Sequence, residues 1–357
     1  MPTEKCVSLL NIFMFHFSSV QDMKKLLVIY TGGTIGMIKD PNTGALQPFD
    51  FGKIHEVLPV LKEFDFEIAS LTFDPVIDSS NMTPSVWIHL AKIIGQYYEQ
   101  YDGFVILHGT DTMSYTASAL SFLMENLSKP IVLTGSQLPL GVIRTDGREN
   151  IINALEIAAT QDPVIPEVCV FFDNKLYRGN RTTKYSADNF SAFLSGNYPS
   201  LAQVGINISF RKHLIADIPQ EPLKIYDKMD DRVLILKLFP GMRLEYVERM
   251  LETEGLQAVI LESFGSGNAS TDKQFLKMIE NALKKGILIY NITQCAAGTV
   301  DMGHYETSLD LGTMGVIGGY DITTESALAK MMFLLGNFEK ETVKQKLTQS
   351  LRGEITL

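Results

Sequence analysis

The apolar positions of this chain fall in short unbroken runs, and several runs stop at turns built from Gly with Thr, Ser or Asp. Leu26 to Tyr30 (LLVIY) leads directly into Thr31-Gly32-Gly33-Thr34-Ile35-Gly36. Phe104 to Leu107 leads into His108-Gly109-Thr110-Asp111-Thr112, and Ile131 to Leu133 into Thr134-Gly135-Ser136-Gln137. Ile68 to Ile77 ends at Asp78-Ser79-Ser80-Asn81, and Val168 to Phe172 gives way to a polar, irregular stretch, Asn174 to Asp188. Runs of this length, rich in Leu, Val and Ile, read as strands buried on both faces. Between them lie helical patterns. Thr83 is a good N-cap and Pro84 a good first residue for a helix to about Tyr101, with Ile88, Ala91 and Ile94 among its apolar positions. Further helices are expected over Ser114 to Leu127 and Asn150 to Thr160. The alternation predicts an α/β fold with a doubly wound, mostly parallel sheet, whose strand ends share one rim. Ligands bind at such a rim.

From about Ile208 to Asp231 the chain becomes more charged and carries two prolines, and a second α/β pattern follows. Strands are expected near Val233 to Phe239, Ala258 to Glu262 and Ile287 to Ile292, with helices near Glu245 to Glu252, Asp272 to Lys284 and Thr324 to Gly336. The organisation this implies is an N-terminal extension (1–22), a larger N-terminal domain carrying most of the site (23–207), a linker (208–231) and a smaller C-terminal domain (232–357). In the extension, Cys6 to Phe17 is apolar but shorter than the ~20 residues a bilayer requires. Asn11 interrupts it, no A-x-A cleavage site follows, and Met23-Lys24-Lys25 reads as a natural start, which argues against a working signal.

Composition narrows the functional classes. The 357 residues include 31 Lys+Arg against 41 Asp+Glu, a formal charge of −10, with no long basic run, so neither nucleic acid nor a membrane is an expected partner. Three cysteines, Cys6, Cys169 and Cys295, are odd in number and too scattered for a disulfide framework, and they fit a reducing compartment. The six histidines form no H-E-x-x-H and no close cluster, so no metal site is expected. There is no G-x-S-x-G, G-x-x-x-x-G-K-[ST] or G-x-G-x-x-G, which removes the usual serine-hydrolase, P-loop and dinucleotide readings.

The hydroxyls at the strand ends remain. A threonine is a weak nucleophile unless a base takes its proton. Thr34 has no histidine beside it in sequence, which leaves Thr110-Asp111 and Lys184 as candidate partners. Each has an ordinary alternative. The glycine turn can be purely structural, Thr110-Asp111-Thr112 a helix N-cap, Lys184 a solvated lysine, and Asp78-Ser79-Ser80 a turn.

The motifs are more specific together than apart. TGGTIG and GFVILHGTDT (Gly103 to Thr112) look like the two active-site signatures of one family. LYRGNRTTK (Leu176 to Lys184), TGSQ and SLRGE (Ser350 to Glu354) look like one branch of it. From Lys24 to its end the chain resembles the bacterial-type L-asparaginases, most closely the type I, cytoplasmic branch. The resemblance implies cofactor-independent hydrolysis of L-asparagine to L-aspartate and ammonia through an acyl-enzyme. It implies Thr34 as nucleophile, Thr110 and Lys184 as a proton-relay pair, and Asp111 as the carboxylate for the substrate's α-ammonium. Ser79 and Ser80, after Asp78, match the segment that holds the α-carboxylate. Asn268 matches a residue that reaches a neighbouring subunit's site, which implies a homodimer or a dimer of dimers.

Two departures stand out. Many members carry a tyrosine just past a glycine in the loop after the first signature, whereas here Gly44 is followed by Ala45 and Leu46. That segment, Lys39 to Asp50, reads as a long surface loop. In allosteric type I enzymes a second asparagine site uses an arginine, and the matching residue here is Glu262, beside the matching Thr183, Thr293 and Cys295. Lost or weakened cooperativity is the expectation. Rival readings are a non-catalytic asparagine sensor and a subunit of a tRNA-dependent amidotransferase.

Overall fold

The computed structural model describes residues 23–39, 46–48, 54–303 and 306–357. Its centre is an eight-stranded sheet. In chain order the strands are β1 (Lys24–Tyr30), β2 (Phe66–Thr72), β3 (Gly103–Leu107), β4 (Ile131–Thr134), β5 (Val168–Phe172), β6 (Lys175–Arg178), β7 (Ala202–Val204) and β8 (Ile208–Phe210). Across the sheet they run β8-β7-β6-β5-β4-β3-β1-β2. Strands β1 to β5 are parallel to one another, and β6, β7 and β8 extend the sheet antiparallel.

The unbroken apolar runs have a simple cause. Successive side chains of a strand point to opposite faces, and here both faces are covered. Leu27, Ile29, Phe104, Ile106, Ile131 and Leu133 enter one core, beneath α1 (Pro84–Tyr97) and α2 (Met113–Leu123). Leu26, Val28, Tyr30, Val105, Leu107 and Val132 enter the other, beneath α3 (Gly147–Ala159).

A smaller parallel sheet follows, ordered β9 (Val233–Lys237), β10 (Ala258–Ser263), β11 (Leu288–Thr293) and β12 (Ile317–Gly318). Its helices are α4 (Leu244–Leu251), α5 (Lys273–Lys284), α6 (Glu306–Met314), α7 (Thr324–Asn337) and α8 (Lys340–Leu347). Asp272 caps α5, accepting from the N–H groups of Gln274 and Phe275. The two sheets share one core. Phe122 of α2 stacks on Phe333 of α7 with ring centroids 6.0 Å apart, and the same apolar cluster reaches Ile260 and Tyr290.

The structure departs from the sequence expectations in four places. The stretch Asn174 to Asp188 is not irregular throughout: Asp173 and Asn174 both take positive φ (47° and 62°), making a two-residue turn that folds β6 back on β5. Ile208–Phe210, expected in the linker, is the edge strand β8, and Lys224–Ile225 pairs with Met124–Glu125. That pairing ends α2 at Leu123, short of the expected Leu127, and α1 ends at Tyr97, short of Tyr101. Finally, Met37–Lys39 and Leu46–Pro48 pair antiparallel, so the ends of the expected surface loop are strand. The extension 1–22, with Cys6, and the Gly44-Ala45 departure lie outside the described residues.

The C-terminal segment is anchored by a buried ion pair. Lys330 of α7 and Glu354 are both fully buried, 2.6 Å apart. Glu354 also accepts from the N–H groups of Leu351 and Arg352, while Lys330 donates to the carbonyls of Leu347 and Gln349. Removing one member leaves an uncompensated buried charge. Glu354→Ala is therefore expected to cost about 3–5 kcal/mol in urea unfolding, and Lys330→Met/Glu354→Leu together clearly less than Glu354→Ala alone.

Candidate active site

The rim above β1, β3 and β4 is assembled from backbone first. The Thr31 N–H and Oγ1 both bond to the Leu107 carbonyl, the His108 N–H bonds to the Thr134 carbonyl, and the Ile77 N–H bonds to the Thr31 carbonyl. The turns after the strands then lie directly on each other. A Cβ on Gly33 would come within 2.4 Å of the Gly109 backbone, and one on Gly32 within 2.0 Å of the Ile77 carbonyl oxygen. Both glycines also take positive φ (91° and 142°), a region side chains disfavour. The Tyr30 hydroxyl, turned back under the loop, donates to the Gly33 carbonyl.

This contact sets the turn bearing Thr34 against the turn bearing Thr110. Thr34 opens a single 3₁₀ turn, Thr34–Gly36, and is half-buried. Thr110 Oγ1 accepts from Lys184 Nζ at 2.8 Å, and the same ammonium bonds Asp111 Oδ1 at 2.7 Å. The helix-cap alternative fails on these bonds, because none of the three residues caps with its side chain. Thr110 and Asp111 engage Lys184, and Thr112 Oγ1 donates to the Ser79 carbonyl. Lys184 is also no solvated lysine. Its side chain is 15% exposed, whereas that of Asp111 is 69% exposed and open to an incoming cation.

The Asp78 turn closes a third side. Ser79 is buried, and a Cβ on Gly109 would lie 2.6 Å from its Oγ. Asp78 accepts from the backbone N–H and hydroxyl of Ser80, and these bonds hold its carboxyl below the usual range. Its role in the structure is to shape the Ser79–Asn81 turn, with Ser80 exposed beside it. Asn268 sits apart from this group, on the tight turn Phe264 to Asn268 after β10 of the smaller sheet.

Two contributors escaped the sequence reading. Gln137 accepts from Thr110 Oγ1 at 3.4 Å and donates to the carbonyls of Ala187 and Asn189, tying the segment after Lys184 to the rim. Its signal was its place in a turn of the same kind as the others. His108 is fully buried, with Nδ1 2.7 Å from the Gly109 carbonyl and Nε2 2.9 Å from Thr116 Oγ1, which also accepts from Trp87 Nε1. The Gly109 carbonyl can only accept, so Nδ1 carries a proton, and burial keeps the ring neutral, which leaves Nε2 to accept from Thr116 Oγ1. It braces Gly109 from below.

Residues 25–216 match the family model for the asparaginase N-terminal domain, and residues 232–347 match that for the glutaminase/asparaginase C-terminal domain. The chain belongs to the bacterial-type L-asparaginase family, in its type I branch. It is 44% identical to L-asparaginase 1 of Escherichia coli over 345 residues, covering 93% of this chain and 98% of that one. The solved structure of L-asparaginase I from Vibrio cholerae superposes with a TM-score of 0.84 at 43% identity, covering 94% and 99% of the two chains. The mouse 60 kDa lysophospholipase is 40% identical over 358 residues, which are 94% of this chain and 63% of that one.

The residues expected to form a second site, Thr183, Glu262, Thr293 and Cys295, are engaged in bonds of their own. Glu262, on β10, is buried. It accepts from Thr324 Oγ1 at 2.6 Å and pairs with Lys237 at 3.2 Å. Thr183 Oγ1 donates to Glu325 at 2.5 Å, and burial lifts the Glu325 carboxyl above its usual range. Thr293 Oγ1 donates to the Gly265 carbonyl and accepts from the Cys295 N–H. The Tyr115 hydroxyl nearby is pushed up to about 12, mainly by burial and further by the carboxylates of Glu325 and Glu262.

Burial holds the folded-state pKa of His108 at about 4, well below its ordinary 6.5. The unfolded chain therefore binds the extra proton first as pH falls, and folding stability drops between those two values. The loss over that interval is expected to reach about 3 kcal/mol. Urea unfolding from about pH 7 to about pH 4 checks it: His108→Gln, with no such proton, has a correspondingly flatter pH dependence.

Proposed function

We propose that the protein hydrolyses L-asparagine to L-aspartate and ammonia, with Thr34 as nucleophile and an acyl-enzyme as intermediate. The observation that carries this reading is the pair of bonds from Lys184 Nζ to Thr110 Oγ1 and Asp111 Oδ1, beside the turn that bears Thr34. The exposed Asp111 carboxylate receives the substrate's α-ammonium, and the Ser79-Ser80 turn its α-carboxylate. This orients the side-chain amide toward Thr34. Once Asp111 is shared with a second cation, Lys184 is better placed to exchange a proton through Thr110. Attack by Thr34 Oγ1 on the amide carbon, with its hydroxyl proton passing to the Lys184–Thr110 relay, gives a tetrahedral oxyanion, for which backbone N–H groups of the glycine-rich turns are the candidate donors. Collapse expels ammonia, with its proton supplied by the Lys184–Thr110 pair, and leaves the aspartyl ester of Thr34. Water then cleaves that ester by the same relay. No step calls for a cofactor or metal.

The reading extends to regulation and assembly. The buried carboxylates of Glu262 and Glu325 make the second site acidic, which disfavours a ligand carboxylate there. Activation by asparagine at that site is accordingly weak or absent. Asn268, on the turn after β10 of the smaller sheet, completes the site of a neighbouring subunit in a homodimer or dimer of dimers, in the cytoplasm.

Ammonia release against L-asparagine, with L-glutamine in parallel, tests the activity. The expected outcome is robust turnover of asparagine with little of glutamine, and a fall of roughly 10³-fold or more in kcat for Thr34→Ala with the fold retained. No release from either amide would leave a sensor as the better reading. The saturation curve is expected to be hyperbolic, with a Hill coefficient of about 1, and a sigmoidal curve would count against the argument from Glu262.

A further inference from the structure

Lys184 stands on one strand of a short hairpin, Thr183–Lys184 paired with Phe193–Leu194, and both sides of this hairpin grip the same part of the smaller domain. On the first side, Thr183 Oγ1 donates to Glu325 in the first turn of α7, and Arg181 pairs with the Asp321 carboxylate at 3.0 Å. On the second side, Asn197 Nδ2 donates to the Asp321 carbonyl at 3.0 Å and to the Gly298 carbonyl at 3.1 Å, while its Oδ1 accepts from the Gly298 N–H at 2.8 Å. The residues Asp321 to Glu325 are thus a common seat for the two sides.

The Asn197 amide is matched to this seat atom by atom. Two of its partners are carbonyl oxygens, which only accept, and the third is an N–H, which only donates. The amide therefore has one orientation, and both its N–H bonds and its oxygen are used. The approach leaves no room for a side chain on the preceding residue: a Cβ on Gly196 would lie 1.8 Å from the Ala296 carbonyl oxygen. The turn that carries Asn197 is itself braced. Ser195 Oγ donates to the Tyr198 carbonyl, and the guanidiniums of Arg178 and Arg181 lie 4.5 and 5.2 Å from the centroid of the Tyr198 ring.

A ladder of two residue pairs does not by itself fix the direction of a hairpin. The large sheet holds this one at Phe193, whose ring centroid is 4.9 Å from that of Phe172 and whose carbonyl accepts from the Tyr177 hydroxyl. The hairpin can still pivot about that point, and Lys184 Nζ sits 2.8 Å from Thr110 Oγ1 and 2.7 Å from Asp111 Oδ1. Displacements of about 1 Å at such distances are enough to cost a reaction heavily. Asn197 supplies a second fixed point. We infer that Asn197 is a positioning residue for Lys184, clamping the hairpin to the start of α7 and so setting where the ammonium meets Thr110. Ser79, Ser80 and Asp111 stand on turns of the large sheet with bonds of their own, so the clamp governs the relay and leaves the proposed substrate contacts in place.

The consequence for turnover rests on the catalytic reading of Lys184, whereas the clamp itself is read without turnover. Asn197→Asp keeps an acceptor for the Gly298 N–H but turns an oxygen toward two carbonyls, and Gly196→Ala forces the turn away from Ala296. Val247→Ala, in the core beneath α4, is the control for general loss of stability. A short pulse of acetic anhydride on the folded full-length protein, read by peptide mass spectrometry, is expected to acetylate Lys184 at least about threefold faster in both clamp variants, relative to the exposed Lys92, and at the parent rate in Val247→Ala. With L-asparagine as substrate, kcat is expected to fall about tenfold in the clamp variants with KM within about twofold, and to hold in Val247→Ala. Unchanged labelling of Lys184 in both clamp variants, or an equal rise in Val247→Ala, would overturn the clamp. Faster labelling with kcat unchanged would overturn the positioning role. A parent protein that releases no ammonia would sink the proposed function and not the clamp, which the labelling then supports or overturns by itself.

Discussion

The backbone contact between Gly33 and Gly109 is the constraint on which the site depends. Strands β1 and β3 are parallel neighbours, so their ends must turn away at the same place, and the first turn can lie against the Gly109 backbone only if residue 33 carries no side chain. A Cβ 2.4 Å from the opposing backbone has no room, and backbone cannot yield as a flexible side chain can. The contact also explains the surroundings. Tyr30 fills the space under the first turn, His108 and Thr116 brace the second, and Ser79 abuts Gly109 from the third side. Thr34 and Thr110 thus project from two rigid turns whose separation is set by the sheet, which is the kind of support that holds reacting groups in register.

Lys184 reaches the site by a different route. It stands on a two-residue strand, Thr183–Lys184, paired with Phe193–Leu194, and its neighbours are gripped from both halves of the molecule. Gln137 holds the segment behind it to the large sheet's rim, while Thr183 is bonded to Glu325 at the start of α7. The ammonium position is therefore a joint property of the two sheets, coupled by the core that runs through Phe122 and Phe333. Asp111 is the one exposed member of the cluster, and it is the one whose partner in the proposed chemistry arrives from solvent.

Much of this was legible in the chain because the physics is local. Unbroken apolar runs ending in small polar turns specify buried parallel strands, and the shared turn type pointed to the rim that carries Thr34, Thr110 and Asp111. What was not legible required partners distant in sequence. Val168 to Phe172 was readable as a strand, but β6 was not, since Lys175 to Arg178 is polar and becomes a strand only because Asp173-Asn174 makes a tight turn onto β5. Ile208–Phe210 looked like linker because an edge strand pairs on one side and tolerates exposed positions. The bond from Lys184 to Thr110 spans 74 residues, and no spacing rule encodes it. His108 sat inside a recognised motif, yet the burial that keeps it neutral and its bond to Thr116, itself held by Trp87, depend on the packing of α1 on α2.

The same division explains why a departure at Glu262 coexists with an intact first site. Glu262 lies on β10, where its carboxylate is satisfied by Thr324 and Lys237, so an acid there is stable in its own right and strains nothing at the rim. A link to Lys184 passes through the adjacent residues Thr324-Glu325 and then Thr183. The geometry at the other end is still held by Gln137, by Asp111 and by the glycine contact. The two ends of that link therefore answer to different bonds: Thr34 and Thr110 to those at the large sheet's rim, Glu262 to those of the small sheet, with Thr183 tied to both halves.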